Sequence, residues 1–385
     1  MGGSFKIMTV RGIDIKVHVT FFLILVYAAV VFGQAGRGLS GAIFGIVATL
    51  LLFVCVVLHE LGHSVVAQHY NIPVRDITLW PIGGVARLER MPDKPAQEFW
   101  VAIAGPAVNF VIVGVIFVVA RVLSSVQVGL DLSDLEQGML RLQIPTLLAY
   151  LFTTNLFLAI FNLIPAFPMD GGRILRALLA SRLNYARATA IAVGIGQNLA
   201  LLAGLYGFLS GQLNLVLIAI FVFLGAGSEG QLAQVKGVLG DLKVRQAFSR
   251  RTDALDPNDR LTRAVDLTLS SFQSDFPVCE NGQLVGLLTK TDLISALQQR
   301  GSNAFVVSVM RKEFPTIGLD ESLFKAQQMM AENNIEAVPV LENGEFRGLL
   351  TLRDVDEVFR LLSASPQLLQ SRRATPTARA GEPVI

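Results

Sequence analysis

Two histidines and a glutamate stand together in His59-Glu60-Leu61-Gly62-His63. On a helix, positions i and i+4 share one face, so both imidazoles can hold one zinc ion. The glutamate between them can act as general base on a metal-activated water. The pentapeptide follows an apolar run, Ala42 to Leu58, that is fit to cross a bilayer. Ionisable side chains are costly there and mark a functional site by default. The expected chemistry is zinc-dependent peptide hydrolysis within a membrane.

A catalytic zinc takes three protein ligands and keeps one position open. His59 and His63 supply two. The candidate third is Asp170, in Asn162-Leu-Ile-Pro165-Ala-Phe-Pro168-Met-Asp170-Gly171-Gly172-Arg173. Pro165 and Pro168 break a helix and Gly171-Gly172 permits unusual backbone. Asp170 is therefore expected on an irregular segment aimed inward, which a membrane tolerates only where protein buries it or water lines it. The other reading of Asp170 is a turn or helix N-cap residue. Cys55, one turn before His59, reads as a packed small hydrophobe rather than a soft ligand. His18 and His69 read as interfacial.

The elements that must position these groups are membrane helices. Hydrophobic residues make up 52% of the 385 and charged residues 16%. Six apolar runs precede residue 230: Val17–Phe32, Gly41–Ala67, Phe99–Val122, Leu147–Ile164, Ala188–Leu209 and Leu213–Leu224. The last is too short to cross without borrowing from its flanks. No clear small-residue cleavage site follows the first, so it is expected to remain as an uncleaved helix. Eleven Lys and Arg fall on one side of this arrangement and three on the other, which places both termini in the cytosol; with no transit peptide, a prokaryotic inner membrane is expected. Helices 2 and 4 then both end at the cytosolic face, which brings His59, His63 and Asp170 to one depth. The net charge of +2 gives no sign of nucleic-acid binding, and the two distant cysteines give none of a disulfide framework.

Beyond about residue 236 the chain turns soluble and repeats itself. Pro277 to Asp292 aligns with Pro339 to Asp354, with ten of sixteen positions identical. Each copy reads as strand, Asn-Gly hairpin turn, strand and helix. The expected organisation is a membrane domain over 1–235, repeat units over 246–300 and 301–363, and a disordered tail over 364–385. The fold class is a polytopic α-helical membrane protein of about six transmembrane helices with a C-terminal α/β tandem module.

The two separated motifs, His59-Glu-Leu-Gly-His63 and Asn162-x-x-Pro165-x-x-x-x-Asp170-Gly171, together resemble the site-2 protease family of intramembrane zinc metalloproteases. The likeness covers about residues 1–230. The layout is most similar to the sporulation-protease-like subgroup with C-terminal CBS domains. The resemblance implies His59, His63 and Asp170 as zinc ligands and Glu60 as the base. It implies substrate-facing roles for Asn162, for Gly83 and Gly84 in a membrane hairpin whose edge could pair with an unwound substrate, and for Asn109 in Gly105-Pro106-Ala-Val-Asn109. Other readings remain open: an ordinary turn at Gly83-Gly84 and a satisfied helix end at Asn109.

The repeat resembles a CBS pair. That likeness implies an adenine nucleotide such as ATP as regulatory ligand, held at Thr289 and Asp292 and at Thr351 and Asp354. The same residues can instead cap the helices that follow. The implied function is regulated intramembrane proteolysis. Its substrate would be a single-pass membrane protein, such as a membrane-held transcription regulator or a remnant signal peptide. A homo-oligomer through the CBS domains is expected. The competing readings are a CBS-gated transporter or channel and a catalytically silent scaffold.

Overall fold

The computed structural model describes residues 3–34, 38–88, 92, 94–124, 144–250, 252–271 and 273–364. The chain divides into two compact units, Met1–Gln231 and Leu232–Ile385.

The first unit opens with a hairpin of β1 (Ser4–Val10) and β2 (Ile13–His18). Arg11 and Gly12 turn it with φ of 50° and 81°. In β2, Ile13, Ile15 and Val17 are buried and their neighbours only partly so, the period of two of a strand with one core face. This corrects the first expected span. The alternation draws residues 13–18 into a sheet, and α1 (Phe21–Gln34) is left with 14 residues. At 1.5 Å per residue that is about 21 Å, short of a hydrocarbon core of about 30 Å.

Five helices among the described residues are long and apolar enough to cross: α2 (Gly38–His69), α3 (Pro95–Ser124), α4 (Ile144–Asn162), α6 (Tyr185–Leu209) and α7 (Leu213–Leu239). The short sixth run thus does extend into its C-terminal flank, as part of a 27-residue helix. Outward side chains such as Leu201, Phe208, Leu217 and Phe221 are more than half exposed, which fits a lipid-facing surface rather than a watery one. The chain is a multi-pass membrane protein.

Between α4 and α6 lies a shorter helix, α5 (Asp170–Ala180). Between α2 and α3 lie β3 (Val74–Trp80) and β4 (Gly83–Leu88). They complete a sheet of order β1-β2-β3-β4. The β2/β3 pair is parallel, with Ile15 opposite Ile77. A parallel pair needs a long crossover, and α1 with α2 provides it. β4 is an edge strand.

The second unit holds the repeat. Its first copy contains α8 (Leu261–Ser271), β5 (Phe276–Glu280), β6 (Gln283–Leu288) and α9 (Lys290–Arg300). The second contains β7 (Ile317–Gly318), α10 (Leu323–Asn333), β8 (Ala337–Glu342), β9 (Glu345–Thr351) and α11 (Leu352–Ala364). Both hairpins turn on left-handed Asn-Gly pairs, Asn281-Gly282 and Asn343-Gly344, as type I′ geometry requires. Each copy builds its own core on equivalent positions: Phe276, Val278 and Leu288 in one, Val338, Val340 and Leu350 in the other. Of the expected tail, 364–385, residue 364 closes α11 and the rest lies outside the described residues.

Candidate active site

His59 and His63 project from one face of α2 toward α3, and α3 answers with residues four apart. His63 Nδ1 lies 2.7 Å from the Val101 carbonyl, and His59 Nδ1 lies 2.6 Å from Asn109 Oδ1. Between them stands Gly105. A Cβ there would lie 2.2 Å from His63 Nε2 and 2.7 Å from His59 Cε1, so only glycine leaves room for the two rings. On α2, Gly62 performs the converse task, since a Cβ there would meet Val108 at 2.8 Å and the Ala104 carbonyl at 2.9 Å. The glycines let the two helix backbones approach closely, as small residues do between membrane helices.

Asp170 reaches the same point from the other side. Its Oδ2 lies 3.3 Å from both His59 Nε2 and His63 Nε2. The backbone differs from the expected irregular segment: Asp170 is the first residue of α5, after a Met169 N-cap whose side chain makes no capping bond. The irregular stretch is the one before it, where Leu163 and Ile164 carbonyls crowd Gly171 so closely that a Cβ would sit 2.1 Å from one of them. The carboxylate is spent on the imidazoles, not on a cap.

The three ligand atoms fit a zinc ion. They lie 3.1, 3.3 and 3.3 Å apart. Tetrahedral zinc with bonds of roughly 2.0–2.1 Å sets its ligand atoms about 3.3 Å apart. A carbonyl can only accept, so His63 bears its proton on Nδ1 and turns an Nε2 lone pair toward His59. Two histidines and an acid meeting in a membrane helix bundle suit a cation between them.

Glu60 lies next to His59 on α2; its carbonyl accepts from Ser64 Oγ at 2.7 Å, and among the described residues its carboxylate makes no hydrogen bond. The β3–β4 hairpin passes over it: a Cβ at Gly84 would lie 2.9 Å from Glu60 Cγ. Gly83 opens β4 with a φ of 141°, and Ile82 at the turn is 89% exposed. Asn162 ends α4 and is half-buried. Asn109 is placed behind His59, so its expected contact with substrate gives way to a contact with a ligand ring. Cys55 is buried and outside the cluster. His18 stacks on Trp80 at 3.9 Å and bonds Thr20.

Sequence reasoning did not single out the backbone carbonyl of Val101 or the steric role of Gly105. It also missed a buried ion cluster holding α5. Arg176 Nε donates to Glu98 Oε1 at 2.7 Å and its Nη1 to Glu229 Oε2 at 3.4 Å. The guanidinium lies 4.9 Å from the ring centres of Phe167 and Tyr185.

In the second unit, Thr289 caps α9, accepting from Asp292 N at 3.2 Å and donating to Asp292 Oδ2 at 2.6 Å. Arg311 Nε donates to the same oxygen at 2.5 Å and Nη2 to Asp292 Oδ1 at 3.2 Å. Burial alone pushes the Asp292 carboxyl up, but the bonds from Arg311 and Thr289 outweigh it and hold the group below its ordinary range. Thr351 and Asp354 form the matching pair at 2.6 Å, and among the described residues no arginine bonds Asp354. Two clefts of about 780 and 600 Å³ open between the repeats. Thr351 lines the larger and Thr289 the smaller, and Asp275 and Glu336 line both. Burial pushes the Asp275 carboxyl up, and the amides of Lys290, Glu336 and Ala337 bring it only part of the way back.

Known proteins resemble this chain in sequence. Residues 47–203 match peptidase family M50, and residues 244–299 and 306–360 match the CBS domain. A zinc metalloprotease of Methanocaldococcus jannaschii is 34% identical over 368 residues, covering 96% of this chain and 99% of the relative. A putative zinc metalloprotease of Synechocystis is 32% identical over 380 residues, covering 91% and 94%. The solved site-2 protease from Methanocaldococcus jannaschii is 41% identical, with a TM-score of 0.44 over 59% of this chain and 95% of that one. Likeness of that extent along nearly the whole of both sequences leaves the transporter and scaffold readings without support, and the chain belongs to peptidase family M50, as a site-2-type zinc metalloprotease with a tandem CBS pair.

Proposed function

We propose that this protease cleaves peptide bonds within or next to the transmembrane segment of a single-pass membrane protein, such as a membrane-held transcription regulator or a remnant signal peptide. The observation that carries this reading is the position of the ligand set. His59 and His63 lie on a helix long enough to span the bilayer, and the free edge strand β4 lies over Glu60. A helical substrate hides its peptide bonds. Pairing along β4 would present one in extended form beside Glu60.

His59, His63 and Asp170 would hold a zinc ion, which would supply Lewis acidity toward the carbonyl and the attacking water. Glu60 accepts the proton from that water and returns it to the departing amine nitrogen. Gly105, the Val101 carbonyl and the Asn109 side chain keep the rings fixed while this happens, which spares reorganisation at the reacting centre.

The CBS pair is read as the regulatory part, with an adenine nucleotide such as ATP in a cleft between the repeats. The cleft lined by Thr351 is the better fit, because among the described residues Asp354 bonds no arginine whereas Asp292 is held by Arg311. Both termini are placed in the cytosol by the basic residues of the loops, and the CBS pair is a candidate homo-oligomer contact.

The test is cleavage of a single-span reporter protein by the full chain in vesicles, with and without ATP, for wild type and Glu60→Gln. Zinc in both proteins with cleavage by wild type alone supports the protease reading. Cleavage only of soluble peptides would overturn the intramembrane substrate, and rates indifferent to ATP would overturn the nucleotide reading.

A further inference from the structure

The polar contacts of His59 do not stop at Asn109. Asn109 Nδ2 donates to Asn155 Oδ1 at 3.2 Å, and Asn155 Nδ2 donates to the Leu151 carbonyl at 2.8 Å. Asn109 is 1% exposed and Asn155 0%. The series runs from α2 through α3 to α4 and ends on backbone.

That end decides the rest. A backbone carbonyl can only accept, so Asn155 must turn its NH₂ toward Leu151 and its oxygen toward Asn109. Asn109 must then turn its NH₂ toward Asn155 and its oxygen toward His59. An amide oxygen also only accepts, so the His59 proton sits on Nδ1 and the lone pair on Nε2, the atom that faces His63 and Asp170. Reversing either amide would set two donors or two acceptors against each other. Within a membrane bundle no bulk water is at hand to relieve that.

We infer that Asn155 is a positioning residue that sets the tautomer and orientation of His59 through Asn109, with the Leu151 carbonyl as the fixed origin. His63 reaches the same state in one step, from the carbonyl of Val101. The difference has a reason in the sequence: Asn109 lies where a side chain, not a carbonyl, faces the ring, and an amide can point either way unless a third group decides. This rests on the reading of His59, His63 and Asp170 as zinc ligands.

The test is zinc affinity of the full detergent-solubilised chain, measured by chelator competition, with no reference to proteolysis. Groups that orient a ligand histidine typically contribute about 10–100-fold to metal affinity. Asn155→Leu is expected to weaken zinc binding by that order. Asn155→Asp keeps an oxygen for Asn109 but sets a second one against the Leu151 carbonyl, and is expected to weaken zinc binding as well. In an Asn109→Leu background, Asn155→Leu should cost nothing further, because the two act in one series.

A second measurement reads the tautomer directly. Ring ¹⁵N spectra of the metal-free wild type should show His59 protonated at Nδ1, and in Asn155→Leu a mixture of tautomers. Wild-type affinity in Asn155→Leu, losses that multiply in the double variant, or a proton on Nε2 would each overturn the inference. If Asn155→Leu does not fold, the wild-type spectrum decides. A wild type that binds no zinc would instead overturn the ligand assignment, and this inference with it.

Discussion

Arg176 and Glu98 form a buried ion pair that joins the helix of the third ligand to the helix that orients the first two. Arg176 is 2% exposed and Glu98 6%. Arg176 lies on α5, six residues after Asp170, and Glu98 lies on α3, three residues before Val101. The pair therefore sets how far Asp170 stands from the imidazoles.

Removing one partner should be severe. Glu98→Ala leaves a buried guanidinium with only the longer contact to Glu229, and breaking such a pair costs about 3–5 kcal/mol. The expected outcome is a large fall in thermal stability together with weakened zinc binding. Replacing both partners by apolar residues should recover much of the stability but not the zinc affinity. Unfolding curves and zinc titration on the same preparations separate the two.

Gly105→Ala tests the space between the rings. In an ordinary helix the change is favourable by about 1 kcal/mol. Here the new methyl would sit 2.2 Å from His63 Nε2. Zinc stoichiometry should fall sharply while helix content holds, and metal analysis beside circular dichroism would show it. A fully metallated Gly105→Ala enzyme would contradict the described geometry.

Glu60→Gln should keep one zinc per chain and lose cleavage. A positioned general base contributes about 10²–10⁴-fold, so the residual rate is expected to drop by that factor. Quenched reporter cleavage at matched zinc content is the measurement.

The Asp292–Arg311 pair gives a pH signature in the second unit. The folded carboxyl titrates below its unfolded value, so its stabilisation is present above the unfolded value near about 4 and is lost as pH falls through the lowered one. Arg311→Met should therefore destabilise the CBS pair at pH 7 and have little effect near pH 2. Asp292 and Arg311 remain partly exposed, so the loss at neutral pH is expected at no more than about 1 kcal/mol. Denaturant midpoints of this unit within the full chain, at the two pH values, check the sign.

The features legible in the sequence are those set by residues near one another along the chain. His59 and His63 share a face because a helix has 3.6 residues per turn. The membrane character follows from apolar runs, and the two hairpins from Asn-Gly pairs that accept left-handed backbone. Asp170 as a candidate third ligand was also legible, because its motif carries its own helix breakers and glycines, and the structure brings it to the two histidines. The hairpin β1–β2 was legible too, in the alternation of Ile13, Ile15 and Val17, but an apolar run starting at Val17 masks that period when helices are sought.

What the tertiary structure decided depends on pairs far apart in sequence. Asn109 meets His59 across 50 residues and Arg176 meets Glu98 across 78. The sequence by itself determined which residues could bind zinc and which segments could cross a membrane. It could not say that Asn109 faces a ligand ring rather than substrate, that Gly105 is the gap between two imidazoles, or that β2 pairs in parallel with β3. Those outcomes turn on close packing and on the direction of single hydrogen bonds. Neither leaves a period or a spacing in the chain, because each is settled only when distant backbones come within contact distance.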